Sequence, residues 1–221
     1  MQKIIEVKDL DFSYEENPEK HIVNNISFDV ARGSVTVFFG PSGCGKSTLC
    51  DILTGVIPNY ENGNLSGSVK IAGDEIIGKP IKDICRNTGY VMQNPDRMII
   101  CTSVEDELAF GPENMCLARE KIETRINRVM ELLDLSELRD KNPEKLSGGQ
   151  KQLVAIGSVF AIMPELVVMD EPFSHLDDEN RNTLYDAIIK MKGSGTSFFI
   201  TGHDPDIVPF ADEIIDGGRH E

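Results

Sequence analysis

Gly40-Pro41-Ser42-Gly43-Cys44-Gly45-Lys46-Ser47-Thr48 follows directly on the apolar run Val35-Thr36-Val37-Phe38-Phe39, and Leu49, Ile52 and Leu53 come next at helical spacing. Strand, glycine-rich loop and helix is the context that the pattern G-x-x-x-x-G-K-[ST] requires. Glycines let the backbone curl so that successive N–H groups point inward at an anion, and the helix N-terminus adds positive partial charge. The stretch Gly40 to Thr48 therefore predicts a phosphate site. Lys46 is expected to reach the outer phosphates of a nucleoside triphosphate, and Ser47 to offer its hydroxyl to Mg²⁺.

Upstream of this loop, residues 4–8 and 22–30 read as half-exposed strands that turn at Arg32-Gly33 into the buried run, an antiparallel β start. Downstream, residues 59–80 are rich in Gly and Asn, with a short strand Val69-Lys70-Ile71 and a turn at Gly73-Asp74, and are expected to decorate the β edge. From Ser103 to about Leu138, the residues Ile122, Ile126, Val129, Met130 and Leu133 keep a 3.6-residue period behind a Ser103 N-cap, which predicts a helical insertion. The pattern then gives a helix near 149–161, a strand at 166–169, a helix at 178–192, a strand at 197–200 and a last strand at Ile214-Ile215. Apolar strands alternating with helices predict an α/β fold whose mostly parallel core sheet is covered on both faces. We expect one domain over 1–221. Its core and antiparallel β subdomain fall at about 1–92 and 162–221, with a helical subdomain inserted at about 93–161.

Composition narrows the function classes. With 22 Lys and Arg against 37 Asp and Glu, the net charge of −15 repels polyanions and argues against direct nucleic-acid binding. The longest apolar runs are strand-sized, short of the roughly 20 residues that span a bilayer, so no membrane-inserted segment is expected. Residues 1–6 lack a basic head followed by an apolar run, and a cytosolic chain without a leader is expected. Cys44, Cys50, Cys85, Cys101 and Cys116 form no C-x-x-C pair and predict reduced thiols without metal.

Leu166-Val167-Val168-Met169-Asp170-Glu171 puts two carboxylates just past the end of a buried strand, where doubly wound sheets bind ligands. Beside a phosphate loop this is the Walker B arrangement. Asp170 is expected to hold Mg²⁺ through water, and Glu171 to orient and polarise a water toward the γ-phosphorus.

Leu146-Ser147-Gly148-Gly149-Gln150 is letter for letter the signature of the ATP-binding cassette (ABC) ATPases, a match expected by chance on the order of once in ten thousand such chains. Physically, a serine hydroxyl, glycine amides and a helix N-terminus form a second anion-binding surface. The resemblance implies that Ser147, Gly148, Gly149 and Gln150 meet the γ-phosphate of ATP held by another protomer, so that two subunits, identical or sister ATPases, pair head to tail. It further implies that Tyr14 in Phe12-Ser13-Tyr14 stacks on adenine, and that Gln93 touches Mg²⁺ or water. Asp177 in Ser174-His175-Leu176-Asp177 would contact the opposite protomer, and His203 would be the switch histidine that hydrogen-bonds the γ-phosphate. The implied catalytic set is Lys46, Gln93, Glu171 and His203, with Ser47, Gln93 and Asp170 around the metal. His21, His175 and His220 read as ordinary surface histidines.

The stretch from Gln93 to Asn114, above all Val104-Glu105-Asp106-Glu107-Leu108-Ala109-Phe110-Gly111-Pro112-Glu113-Asn114, is similar to the ATPase subunits of energy-coupling factor (ECF) transporters, which import vitamins or cobalt and nickel ions. That similarity implies a place at the cytoplasmic face of the cell membrane, bound to a transmembrane coupling protein beside a substrate-binding membrane component. Asp96, Glu105, Asp106 and Glu107 would suit the arginines of the coupling helix. Arg97-Met98, Leu153 and Phe173-Ser174-His175 depart from the common family pattern without removing a catalytic group. The chain ends at Glu221, where ECF ATPases usually continue into a dimerisation segment, so dimerisation is expected to rest on ATP and the membrane partners. Another ABC branch, an exporter included, remains an alternative. A soluble ABC protein of translation or repair would need two cassettes or a long coiled coil, and about a hundred residues separate Lys46 from Leu146. The guanine-specifying Asn-Lys-x-Asp of GTPases is absent, and nothing in the sequence names a solute.

Overall fold

The computed structural model describes residues 2–218. In chain order the elements are β1 (Lys3–Tyr14), β2 (Val23–Ala31), β3 (Val35–Phe39), α1 (Lys46–Leu53), α2 (Val56–Asn59), β4 (Gly63–Ile71), β5 (Asp74–Glu75), α3 (Ile81–Ile84), β6 (Thr88–Val91), α4 (Val104–Asn114), α5 (Arg119–Leu132), α6 (Gly148–Ile162), β7 (Leu166–Asp170), α7 (Asp178–Gly193), β8 (Ser197–Gly202) and β9 (Glu213–Asp216). His220 lies outside the described residues.

Five strands form a parallel sheet in the order β6-β7-β8-β3-β9. Because side chains alternate across a strand, the unbroken apolar runs supply both faces at once. Leu166, Val168, Phe199 and Phe38 join one hydrophobic cluster with Leu49, Ile52 and Leu53 of α1. Val167, Met169, Phe198, Ile200 and Val37 join the other, with Val154 of α6 and Leu184 and Ile188 of α7. Each such side chain, fully buried, contributes about 1.5–3 kcal/mol relative to exposure.

The parallel register aligns the C-terminal strand ends. Met169 lies opposite Ile200 and Asp170 opposite Thr201, while Phe38 flanks Thr201 from the other side. The Gly40 N–H donates to the Gly202 carbonyl at 3.1 Å. The phosphate loop, the paired carboxylates and His203 thus leave the sheet at the carboxyl ends of its strands, as a parallel topology dictates.

The second sheet is antiparallel, ordered β2-β1-β4-β5, and packs over α1 through Ile5, Val7, Phe12, Val69 and Ile71. Here β1 runs to Tyr14, beyond the expected 4–8, and β4 holds nine residues where three were expected. The glycines that read as breakers are positions of close approach. A Cβ on Gly63 would sit 2.4 Å from the Phe12 ring, and one on Gly67 (φ +97°) 2.5 Å from the Asp9 carbonyl, where the β1–β4 register shifts. Between 103 and 138 the continuous period is two helices, broken where Cys116 adopts φ 54°. Ser103 caps α4 by accepting from the Asp106 N–H at 3.1 Å. The edge strand β6 has no counterpart in the sequence reading. Its Gly89 admits Val159, whose Cγ1 lies 2.4 Å from where a Cβ would stand.

Candidate active site

The loop from β3 to α1 needs glycine where it turns into the helix. Gly45 takes φ +92°, and a Cβ there would stand 2.6 Å from the Ile22 carbonyl oxygen. Ser42, Gly43, Gly45, Lys46, Ser47 and Thr48 line an open cleft closed on its other sides by Ile22, Gln93 and Glu171. Gly40, Pro41 and Cys44 shape the loop from below: Cys44 Sγ lies 2.7 Å from a Cβ built on Gly40, and both carbonyls accept from Lys46.

Lys46 is buried. Its ammonium donates to the Gly40 carbonyl at 2.9 Å and the Pro41 carbonyl at 3.0 Å, and pairs with Glu171 Oε1 at 3.0 Å. All three of its donors are therefore turned toward oxygen, one of them anionic. The other carboxylate oxygen of Glu171, Oε2, lies 3.1 Å from His203 Nδ1, so one carboxylate bridges two basic side chains.

Glu171 sits in the left-handed region, with φ 46°, a conformation that costs of order 1–3 kcal/mol for a non-glycine residue. The surrounding bonds impose it. The Glu171 N–H donates to Thr201 Oγ1 at 3.2 Å, while the Glu171 carbonyl accepts from Ser174 N at 3.2 Å and Ser174 Oγ at 2.9 Å. Thr201 in turn donates to Asp170 Oδ1 at 2.7 Å. This fully buried threonine orders both acidic residues, and sequence reading passed it over as the tail of an apolar strand.

Ser147 and Gln150 form a capping box at the start of α6: Ser147 Oγ accepts from the Gln150 N–H at 3.3 Å and Gln150 Oε1 from the Ser147 N–H at 3.2 Å. Gly148 and Gly149 line a separate groove with Gln93, Asp96, Leu146, Lys151 and His175. Gln93 lines both that groove and the phosphate cleft. Asp177 caps α7, accepting from the Asn180 N–H at 2.9 Å. Tyr14 ends β1 with its hydroxyl 3.1 Å from Thr48 Oγ1, which brings it to the first turn of α1, while Ile22 forms the wall of the cleft. Ile22 carries no sequence signal of that role.

The sequence profile of the ABC transporter family matches residues 23–174. The chain belongs to the ABC transporter family. The cassette is 37% identical over 220 residues to an ABC transporter ATP-binding protein of Methanosarcina mazei, covering 98% of this chain and 38% of that one. It is 35% identical over 217 residues to the energy-coupling factor transporter ATP-binding protein EcfA1 of Streptococcus sanguinis, covering 97% of this chain and 76% of that one. Among solved structures it resembles cbiO1 of Clostridium perfringens, described as part of the ABC transporter complex cbiONQ. The TM-score is 0.84 at 29% identity, over 99% of this chain and 86% of the other. The cassette thus spans about two fifths of the length of the Methanosarcina relative and about three quarters of EcfA1.

The donors fit the groups the family implies. The glycine cradle and the Lys46 ammonium would suit a nucleotide's phosphates. Ser47, Gln93 and Asp170 supply oxygen donors, the set that suits Mg²⁺, which takes one or two carboxylates with phosphates and water in preference to an all-protein cage. Among the described residues, no group of three or more His, Cys, Asp or Glu could hold a metal ion.

The four acidic residues expected to meet a coupling helix are all engaged within the cassette. Glu107 is corrected outright: it is buried, and its Oε2 accepts from the Ile100 and Cys101 N–H groups at 2.9 and 2.8 Å, shaping the loop before α4. Glu105 pairs with Arg139 at 2.6 Å, Asp96 with Lys151 at 2.8 Å, and Asp106 accepts from Ser103 Oγ at 2.6 Å. The run Glu105-Asp106-Glu107 at the helix start gives no hint of which carboxylate turns inward.

Asp51, one turn beyond Ser47 on α1, accepts from the Tyr90 hydroxyl of β6 at 3.0 Å. Burial pushes its carboxyl up to about 6, helped by Glu61 and Asp170 and opposed by the Tyr90 bond and Arg97. The folded state binds this proton more tightly than the unfolded chain, so the group's stabilising contribution is full below pH ~4 and is lost as pH rises through about 6. Asn at position 51 stays neutral and keeps an acceptor for Tyr90. The D51N cassette is expected to lie closest to the parent near pH 4 and to gain on it in melting temperature as pH rises to 7.5. An equal difference at both pH values in paired thermal melts would contradict this.

Proposed function

We propose that the cassette binds and hydrolyses ATP with Mg²⁺ at a site completed by a second cassette, and so drives an ECF-type importer at the cytoplasmic face of the membrane. What carries the enzymatic part is the bridging of Lys46 and His203 by Glu171 inside a glycine-rich cleft. In this reading the loop amides and Lys46 hold the β- and γ-phosphates and Tyr14 packs against the base. Glu171 accepts a proton from the attacking water, and His203 bonds the γ-phosphate. Ser47, Gln93 and Asp170 would hold Mg²⁺, which when bound neutralises charge growing on the phosphate oxygens. Ser147, Gly148, Gly149 and Gln150 serve the neighbouring copy's nucleotide, with Asp177 at the shared boundary. The separation of the signature groove from the phosphate cleft supports such pairing, because the two anion-binding surfaces lie on different parts of one chain.

The likeness to EcfA1 and cbiO1 supports an importer with a transmembrane coupling protein and a substrate-binding membrane component. So does the groove between α4 and α5, where Glu113 and Glu123, beside Arg119 and the internally bonded Glu105 and Asp106, surround Ala109, Ile122 and Ile126. No helix among the described residues is long and apolar enough to cross a membrane. The test is purification of the tagged cassette from its own membranes, with identification of the integral proteins that accompany it and a Mg-ATPase assay of the complex. A stoichiometric transmembrane partner and ATP turnover are expected. An exporter-type partner would overturn the importer assignment, and absence of turnover in the intact complex would overturn the enzymatic one.

A further inference from the structure

We propose that Arg181 is a positioning residue that holds His203 against Glu171 by way of Asp204; the inference rests on the reading of Glu171 and His203 given above. Asp177, Arg181 and Tyr185 recur every four residues and so share one face of α7. Arg181 Nη1 donates to Asp204 Oδ2 at 2.8 Å, with Asp206 Oδ2 at 3.8 Å from the same nitrogen. The other oxygen, Asp204 Oδ1, accepts from the Asp206 N–H at 3.0 Å and caps the short turn Pro205–Phe210. Both oxygens of the residue next to His203 are thereby fixed, one by α7 and one by its own backbone. Tyr185 extends the hold. Its ring packs against Phe173 and Phe210 at centroid distances of 4.6 and 4.8 Å, tying the segment after Glu171 to the segment after His203.

The imidazole has little else to place it. The His203 side chain is 53% exposed and lies 3.1 Å from Glu171 Oε2. Its position therefore follows from the backbone between Gly202 and Asp204, which Ile207 supports from below and Arg181 from the side. Arg181 also lies on the helix that Asp177 begins, so a shift at the start of α7 is passed to His203 through one ion pair. The pair is part-buried, with the Arg181 and Asp204 side chains 22% and 37% exposed, so its share of stability is modest. Its effect is expected in the geometry of the reacting groups, where a displacement of about 1 Å can cost about 100-fold in rate.

The experiment measures ATP turnover and ATP affinity for R181A, R181K, D204N and the R181A/D204N double variant in the complex with its membrane partner. With wild-type turnover present, R181A and D204N are expected to lower kcat between about 10- and 100-fold while KM for ATP stays within about twofold. R181K, which can still reach Asp204, should recover part of the loss, and the double variant should be no slower than the worse single one. Folding is read in parallel from thermal melts, and R181K and D204N keep the test available if R181A does not fold. Folded variants with wild-type kcat, or additive losses in the double variant, overturn the positioning role while leaving the hydrolytic reading intact. A wild-type complex that does not hydrolyse ATP overturns both.

Discussion

Replacement of Glu171 by Gln is expected to leave ATP bound and to stop its hydrolysis. The amide keeps the size of the carboxylate and an oxygen able to face Lys46, yet it cannot take a proton from water, and loss of a positioned base costs about 10²–10⁴-fold in rate. Binding should survive because, in the proposed reading, Glu171 competes with phosphate for the Lys46 ammonium that it pairs with at 3.0 Å. Removing that competition favours the nucleotide. Phosphate release under saturating Mg-ATP, beside equilibrium binding of ATP, measures the two effects separately. Turnover at the wild-type rate in E171Q would remove Glu171 from the mechanism.

Lys46→Ala acts on the other partner and should fail at the earlier step. Lys46 is the buried cation of the cleft, and a charge-assisted hydrogen bond of this kind is worth about 1.5–3 kcal/mol, or about 10- to 150-fold in affinity. The same change strands the Glu171 carboxylate, 11% exposed, with His203 as the remaining basic neighbour in the cleft. Some loss of stability at neutral pH is therefore expected alongside the loss of binding. Arg at position 46 should not rescue it, since a planar fork cannot place donors on Gly40, Pro41 and a phosphate from within so tight a loop. Calorimetric titration with Mg-ATP checks the affinity, with circular dichroism as the control for folding. Undiminished affinity in a folded K46A protein would refute the assignment of Lys46.

What could be read beforehand depended on how local the physical cause was. The parallel sheet was legible because runs such as Leu166-Val167-Val168-Met169 need apolar cover on both faces, and the loop, the carboxylate pair and the signature are short motifs whose chemistry lies within a few residues. The lengths of β1 and β4 were not. Gly63 and Gly67 look like interruptions until Phe12 and Asp9, some fifty residues away, are brought against them. The break at Cys116 likewise hides inside an unbroken period. In the site, Thr201, Ile22 and Arg181 gain their roles from register and helix face, neither of which one chain read in order displays. Glu107 shows the reverse error. Surrounded by acidic neighbours on a helix start, it reads as one more carboxylate for a coupling helix, while two loop amides claim it from inside.

The placing of the phosphate loop and the signature glycines in two clefts that share Gln93 has a genetic corollary. Should copies meet head to tail as proposed, each reaction centre draws on two polypeptides, and damage to either surface spoils a different half of it. A chain crippled in its loop can then lend a sound signature to a chain crippled in its signature, and the mixed pair retains one working centre where each parent pair has none. Lesions in this protein would sort into two complementing groups, divided by which cleft they fall in.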